Sequence, residues 1–255
     1  MTSGLANNTD ASAASTLPLF YREPVVLHSE AHAGWRLKDG DATFAAATPY
    51  VPIVLSEIGE AGRHYPVVFA GDKLLPVAVL GLSDGENLFV EESAWAGGHY
   101  VPAYVRRYPF GFVTIPGSER FALALDAGSE RLVRDGEQGV ALFEQGAPSA
   151  ITREALQYCE AYQAEFESTN AFSAALREHE LLVEKRANAT LADGRQYALD
   201  GFQVVDPGRF RDLDQAVVVD WHRKGWLSLV NLHLASLGRL AALVDRQAQR
   251  AAPAA

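Results

Sequence analysis

The hydrophobic and polar positions of this chain change their period at Pro148. Residues 18–146 hold short apolar runs separated by Gly, Asp and Pro, a pattern typical of β-strands joined by turns. The runs that predict strands are Val25–Leu27, Val51–Leu55, Val67–Phe69, Val77–Leu80, Gly111–Ile115, Phe121–Leu125 and Val140–Phe143. Pro52, Pro66 and Pro76 lack a ladder donor, which favours strand starts, sheet edges or bulges at these positions.

After Pro148 the apolar positions follow the helical period. The pattern predicts helix over 150–186, and Ser168–Asn170 interrupts it, so that one bent helix and two helices both fit. A second helical stretch covers 225–247 and presents one broad apolar stripe. We predict that five residues of this stripe are buried together: Trp226, Val230, Leu237, Leu240 and Val244.

Between these helical stretches, residues 188–206 return to strand and turn character. Asp193-Gly194 predicts a hairpin turn between Ala189–Ala192 and Gln196–Leu199, followed by a strand at Phe202–Val205. Pro207 suits the first turn of a short helix. Strand-like runs thus largely precede the helix-period runs, which predicts an α+β fold with a β-rich N-terminal body closed by C-terminal helices.

The length of 255 residues allows one large hydrophobic core. We predict a disordered tail at 1–17, a single domain at 18–247 and a frayed tail at 248–255. Within that domain, 18–146 is the β-rich part and 147–247 the mainly helical part.

Composition and charge narrow the function. The formal net charge is −10, and no concentrated basic stripe is visible. An acidic body repels phosphate backbones and the anionic inner membrane leaflet. Nucleic acid is therefore not an expected partner.

Cys159 is the only cysteine, which excludes an intrachain disulfide and a thiolate metal cluster. Residues 1–17 contain neither a basic start nor an apolar block, so they do not resemble a signal peptide. The longest helix-compatible apolar run, Gly225–Gly238, has 14 residues, fewer than the roughly 18 that indicate a membrane span. We expect no membrane span and a cytoplasmic location, and the oligomeric state stays open.

Three segments are unusually dense in aromatic residues, prolines or paired arginines: Tyr65–Phe69, Asp84–Val90 and Tyr100–Phe110. The sequence of these segments resembles the SapC family, bacterial proteins of about this length named for a link to surface-layer proteins. The resemblance continues into the last helical stretch, at Gly225–Leu227 and His233–Leu237. It implies a SapC-like domain over most of the chain, and it implies no reaction, because none is established for the family.

The strongest candidate site is the segment that holds Tyr104, Arg106, Arg107 and Tyr108. Guanidinium groups beside aromatic rings can bind a carboxylate or an acidic peptide. Alternatively, the aromatics form core and one arginine pairs internally with an acid such as Glu86. Because adjacent residues point in different directions, we predict that one arginine bonds an internal carboxylate or carbonyl and the other faces solvent or a cleft.

His32 and Glu57 complete the set of candidate ligand-binding residues. His28 and His32 are four apart, a spacing that suits zinc on a helix, but their neighbours predict strand or turn, so we expect no metal site. His32 also matches a histidine that we associate with SapC sequences. Glu57 can act as a general base with His64 as its partner, or it simply flanks a helix.

Motifs for catalysis and for nucleotide binding are missing from the sequence. There is no Gly-x-Ser-x-Gly elbow, no Gly-x-Gly-x-x-Gly and no phosphate-binding loop, so we expect no cofactor. His233 lies on the apolar stripe and is predicted to be a packing residue.

We therefore favour a non-enzymatic accessory protein that binds a partner polypeptide. The family resemblance implies that the partner is a surface or outer-membrane protein or a modifying enzyme, in protein modification or uptake. The alternative is an enzyme for a small polar or peptide substrate in a cleft lined by His32, Glu57 and Arg106/Arg107. A structural surface-layer component is disfavoured because no signal peptide is visible, although non-classical export stays open.

Overall fold

The computed structural model describes residues 2–4, 17–115, 117, 120–191 and 193–251. Of the predicted tail at 1–17, Thr2–Gly4 form a strand and Leu17 is described, and the other residues lie outside the described ranges. At the other end, helix continues to Ala251, and 252–255 lie outside the described ranges.

Strands and helices are both abundant. The strands of the described residues are β1 (Thr2–Gly4), β2 (Pro24–Val26), β3 (Arg36–Leu37), β4 (Tyr50–Pro52), β5 (Val67–Ala70), β6 (Leu75–Val79), β7 (Val90–Glu91), β8 (Ala94–Trp95), β9 (Phe110–Thr114), β10 (Phe121–Asp126), β11 (Leu132–Val133), β12 (Val140–Ala141), β13 (Phe143–Glu144), β14 (Ala147–Pro148), β15 (Leu182–Thr190) and β16 (Gln196–Val205). The α-helices are α1 (Ile58–Gly62), α2 (Ala103–Arg106), α3 (Ala150–Glu178), α4 (Pro207–Arg211), α5 (Gln215–Lys224), α6 (Trp226–Ser236) and α7 (Arg239–Ala251). This content confirms the predicted α+β class.

The chain divides into two compact units built from interleaved segments. The first unit contains residues 1–10, 42–103 and 165–255, and the second contains 11–41 and 104–164. Helix α3 contributes residues to both. The single domain at 18–247, with its parts meeting at residue 147, stays a prediction.

A mixed sheet forms the centre of the first unit. Its order is β1-β16-β5-β6-β4, and β15 pairs with β16 as a long hairpin. Only the β1–β16 pair is parallel in this described sheet. All of β5 and most of β6 are buried, which explains why both strands are continuous apolar runs in the sequence.

Helix α6 fastens two strands of this sheet through His233, which is fully buried. Its Nδ1 donates to the carbonyl oxygen of Val67 on β5 at 2.9 Å, and its Nε2 accepts the N–H of Val205 on β16 at 3.1 Å. Ser236 accepts the N–H of Val67 at 3.0 Å. Burial lowers the pKa of His233 to about 4, so the imidazole is neutral. The geometry matches the packing role predicted for it.

The C-terminal helical stretch is two helices, where one continuous stripe was predicted. The turn at Leu237–Gly238 separates α6 from α7. Val230 is fully buried as predicted, whereas Leu237 is only half-buried. Leu243 instead is the buried leucine of α7, 2% exposed. The joint burial predicted for Trp226, Leu240 and Val244 is wrong too, since all three are half-buried.

Two other elements differ from the sequence prediction, and the predicted hairpin turn agrees with it. Helix α3 is continuous and ends at Glu178, so the predicted helix over 179–186 is wrong: that segment turns and then enters β15. Gly194 has a φ of 87° at the predicted hairpin turn, in the left-handed region that favours glycine. Helix α5 was not predicted. Asp214 caps its start, and Gly225 ends it with a φ of 73°.

By length and composition, the stretch Trp226–Arg250 would be able to cross a membrane. Its most apolar window has a mean hydropathy of 1.5, and 22% of that window is buried. The stretch includes the turn between α6 and α7. A mostly buried core helix or a signal sequence can have the same length and composition.

The second unit contains short antiparallel sheets around a separate core. One sheet has the order β2-β10-β9 and another the order β11-β3-β12, and β13 and β14 form a hairpin. The residues of its core are Leu37, Phe110, Leu125, Leu142, Phe143 and Cys159.

Candidate functional site

Residues 104–110, the part of the Tyr100–Phe110 segment in the second unit, are held there by two tyrosine hydroxyls. Tyr104 donates to the carbonyl oxygen of Leu19 at 3.1 Å, and Tyr108 donates to the carboxylate of Asp126 at 2.8 Å. Both tyrosines are buried. Burial is the first cause that raises the pKa of each phenol, so both remain protonated at neutral pH.

Asp126 is a buried carboxylate at the end of β10. Besides Tyr108, it accepts the backbone N–H groups of Arg22 at 3.0 Å and Glu23 at 2.6 Å. These bonds join the segment before β2 to the turn before β9, and a carboxylate with several donors is well satisfied without a cation. Asp126 therefore positions the wall on which Tyr108 lies.

Arg107 lies among tyrosine rings. Its guanidinium carbon is 4.1 Å from the ring centre of Tyr104, 4.4 Å from that of Tyr162 and 5.8 Å from that of Tyr21. Its Nε is buried and has no hydrogen-bond partner in the described part of the chain. These contacts of Arg107 are aromatic. The internal carboxylate or carbonyl bond predicted for the inward arginine stays a prediction.

The charge of Arg107 is not balanced by its neighbours. A guanidinium stays charged in proteins, and burial is the main cause that raises the pKa of Tyr21 above its usual value, so that this phenol is neutral too. None of the ion pairs among the described residues involves Arg107. A desolvated cation surrounded by neutral rings attracts an anion more strongly than an exposed arginine does.

Arg107 opens onto a groove with a cavity of about 240 Å³. We call it the arginine groove, and define it by Arg106, Arg107, Arg131, Glu154 and Tyr158. Apolar side chains complete its wall: Leu37, Phe110, Ile151 and Ala155.

The other two arginines of the groove are held differently. Arg131 donates to the carbonyl oxygen of Tyr108 at 2.8 Å, which fixes its guanidinium. Arg106 is exposed, and its guanidinium carbon is 5.5 Å from the ring centre of Tyr158. The adjacent arginines thus differ as predicted in burial, with Arg107 inward and Arg106 outward, and they share one groove.

His32 lies in the second unit but is not among the residues that line the groove. It belongs to a turn in which its Nδ1 accepts the N–H of His28 at 3.0 Å, and its ring packs 4.0 Å from that of Trp35. Burial and then the nearby His28 lower the pKa of His32. In the described residues, no group of three or more His, Cys, Asp or Glu side chains is placed to hold a metal.

Glu57 belongs to the first unit and is 3% exposed. Its carboxylate accepts the N–H of Val54 at 3.0 Å, the N–H of Ala103 at 2.6 Å and the hydroxyl of Tyr100 at 2.9 Å. Three internal donors and almost no exposure make Glu57 a residue that positions the chain between β8 and α2. Its place in a ligand-binding cleft, as the sequence suggested, has no support in this geometry.

Sequence reasoning missed Arg131 and Tyr158 of the groove. It also missed Tyr21 and Tyr162, which with Tyr104 form an aromatic cage around Arg107. Tyr158 and Tyr162 are four apart on α3, so they lie on one helix face. That spacing was a usable signal. Tyr21 and Arg131 come from distant segments, and no local pattern connects them with Arg107.

A sequence profile of the SapC family matches residues 27–243. The match covers most of the chain, including the arginine groove, and the protein therefore belongs to the SapC family. Neither the curated proteins nor the solved structures contain a match.

Proposed function

We propose that this SapC-family protein is a non-enzymatic binding protein that takes an acidic group of a partner polypeptide into the arginine groove. The observation that carries the proposal is the half-buried Arg107, whose guanidinium has a buried Nε, aromatic neighbours and no ion pair among the described residues. The family supports a partner connected with surface or outer-membrane proteins, or with an enzyme that modifies them.

The chemistry of recognition follows from the groove. A carboxylate that reaches Arg107 forms charge-assisted hydrogen bonds with a guanidinium that the Tyr104 and Tyr162 rings already hold in place. Little side-chain entropy is lost on binding, because the arginine is ordered beforehand. Arg106, at the exposed rim, adds attraction that salt can screen.

The apolar wall favours a polypeptide over a free small acid. Leu37, Phe110 and Ile151 line the groove beside the arginines. A carboxylate flanked by apolar side chains buries additional surface against this wall, and each buried methylene adds about 0.8 kcal/mol. Glu154 lines the groove as well and disfavours ligands with several adjacent negative charges.

We do not extend the proposal to catalysis. Cys159 is buried in the core of the second unit, and burial raises the pKa of its thiol to about 11, which suppresses the thiolate. Glu57 is occupied by three internal donors. Neither Cys159 nor Glu57 is therefore placed to act as a nucleophile or base on a ligand in the groove.

A peptide titration tests the proposal. The probe is a fluorescently labelled peptide with one Glu between leucines, and its matched partner has Gln in that place. We expect the Glu peptide to bind more tightly, and Arg107→Gln to weaken it by about tenfold, the loss of one charge-assisted contact. Arg106→Gln should weaken it by only about two- to threefold, as an exposed charge does.

Two further variants keep the test decisive. Arg134→Gln removes one positive charge of the second unit outside the groove and should leave binding unchanged. Arg107→Lys keeps the charge but loses the planar fork, and should bind between the parent and Arg107→Gln even if the latter folds poorly. Equal binding of the Glu and Gln peptides, or of parent and Arg107→Lys, would refute the proposal.

A further inference from the structure

The first unit contains a second cavity of about 370 Å³, and nothing in the proposed function uses it. Side chains from α7 face the loop after α1 and the loop after β8. We call this cavity the histidine pocket and define it by Arg63, His64, Phe89, His99, Arg239 and Arg246. In a chain of net charge −10, five arginine and histidine side chains around one cavity are an unusual concentration.

Two arginines of α7, Arg239 and Arg246, line the pocket. Arg239 and Arg246 are seven residues apart, two helical turns, so they lie on one face. Arg246 is held by the carbonyl oxygen of Leu88 at 2.7 Å and by Glu91, and these bonds use Nε and Nη2 but not Nη1. Arg239 forms no ion pair in the described part of the chain.

The two histidines of the pocket lie side by side. Their ring centres are 5.6 Å apart, close enough for a single oxyanion to contact both. Nδ1 of His99 is 3.1 Å from the carbonyl oxygen of Gly97, so Nδ1 carries the hydrogen that it donates in this bond. Nε2 is then available to a ligand. The phenyl ring of Phe89 lies 5.1 Å from His99 and provides an apolar side.

We propose that the histidine pocket binds the phosphate group of a small organic phosphate monoester. A phosphate presents three strong acceptor oxygens, which can face Arg239, Arg246 and the imidazole pair together. The cavity is larger than one phosphate group requires, and Phe89 offers a surface for the organic part. Asp245 also lines the pocket and reduces its positive charge.

Protonation of His64 should strengthen binding. The charged groups that face His64 are Glu60, Arg63, His99 and Arg239. Burial lowers the pKa of His64 first, His99 and the two arginines lower it further, and Glu60 opposes them. A bound dianion reverses this balance, because it favours the charged imidazole.

Calorimetry with three probes tests the site: inorganic sulfate, inorganic phosphate and ribose 5-phosphate. We expect ribose 5-phosphate to bind more tightly than inorganic phosphate, and glutarate at equal concentration to bind more weakly than either. Sulfate does not titrate in this range, and its affinity should rise severalfold as the pH falls from about 7 to about 5, because the lowered pKa of His64 places its protonation below the usual histidine value. His64→Gln should remove much of that rise.

The variants separate the pocket from general charge. Arg239→Gln should weaken ribose 5-phosphate by about tenfold, and because Arg239 has no ion pair to lose, folding should be unaffected. Asp245→Asn should strengthen it. Arg223→Gln, an exposed arginine of α5 outside the pocket, is the matched control and should change nothing. Equal binding by the parent and Arg239→Gln, or glutarate as tight as phosphate, overturns the proposal, and neither result bears on the arginine groove.

Discussion

Arg107 is surrounded by tyrosine rings, where a cation removed from water is ordinarily paired with an acid. Each desolvated contact between a guanidinium and an aromatic face is worth about 0.5–2 kcal/mol, and Arg107 has two within 4.5 Å. These contacts offset part of the cost of removing the cation from water but do not neutralise it. The remaining electrostatic attraction is available to a ligand, which is why a residue that holds the fold together is also the centre of the proposed site.

His233 makes the stability of the first unit dependent on pH. Burial lowers its pKa from 6.5 to about 4, so the unfolded chain binds a proton more readily than the folded chain between these values. The contribution is fully present above pH 6.5 and is lost as the pH falls toward about 4. We expect the free energy of unfolding to decrease by up to about 3 kcal/mol over that range from this histidine. Urea unfolding at a series of pH values measures it.

Two comparisons identify His233 as the source. Replacing the exposed His222 of α5 by Gln should leave the slope of stability against pH unchanged. His233→Gln should lower stability at pH 7, because two backbone groups lose their partner, and should flatten the slope between pH 6.5 and 4. An imidazole signal of His233 that titrates near 6.5 in NMR spectra would contradict the prediction.

Sequence reasoning identified single residues well when their role was local. The apolar setting of His233 indicated a packing histidine, and the adjacency of Arg106 and Arg107 indicated different environments. The aromatic cage could not be predicted, because Tyr21 and Tyr162 come from segments far from Arg107 in the chain. Glu57 flanks α1, which is one of the two alternatives that the sequence left open. Its donors could not be predicted, because Tyr100 and Ala103 are distant in sequence.

At the scale of elements, close packing shows how α1 and α6 meet. A side chain at Gly62 would place its Cβ 3.1 Å from the Cβ of Ser236, so α1 approaches α6 where no larger residue fits comfortably. Ser236 in turn bonds the backbone of β5. The resemblance between this chain and its family in α6 therefore has a sufficient explanation in packing.

Periodicity predicted the existence of the helices better than their ends. An apolar stripe continues through the turn at Leu237–Gly238, because α6 and α7 each bury one face. The pattern alone therefore cannot show that the helix is interrupted there. Helix α5 was missed because Val217–Val219 are β-branched and favour strand locally. Packing of Trp221 into the core overrides that preference.

The buried leucine of α7 should contribute more to stability than the leucine at the turn. Leu243→Ala should lower the free energy of unfolding by about 2–4 kcal/mol, because a nearly inaccessible side chain leaves a cavity. Leu237→Ala removes the same atoms from a half-buried position and should cost about 1 kcal/mol. Chemical denaturation of both variants decides the point. A larger loss for Leu237→Ala would restore the continuous stripe.

At the scale of the whole molecule, interleaved segments build both units. The chain leaves the second unit at Asp41, returns to it at Tyr104 and leaves again within α3. Each core is therefore made from residues that are remote in sequence, and such a division follows from the contacts rather than from any local signal. Each unit contains residues from both the strand-rich and the helix-rich part of the sequence. The α+β class was therefore predictable, and the division into two units was not.

The overall charge also sets how an acidic partner reaches the arginine groove. With a net charge of −10, the protein repels an acidic peptide at long range, while Arg107 attracts it only at close range. Salt screens the long-range repulsion strongly and the buried contact weakly. We therefore expect the association rate of the Glu peptide to rise by about two- to fivefold between roughly 0.02 M and 0.2 M salt, with a nearly constant dissociation rate.

Stopped-flow fluorescence measures both rates, and the Gln peptide is the control. Its association should respond less to salt, since it carries one negative charge fewer. In Arg107→Gln, association should keep the same salt response, because the overall charge of the chain still opposes the peptide, while dissociation should become faster as the close-range contact is lost. If the association of the Glu peptide slowed as salt was added, the rim charge of Arg106 would outweigh the overall charge of the protein, and the predicted long-range repulsion would be wrong. An unchanged dissociation rate in Arg107→Gln would mean that its guanidinium is not what holds the peptide.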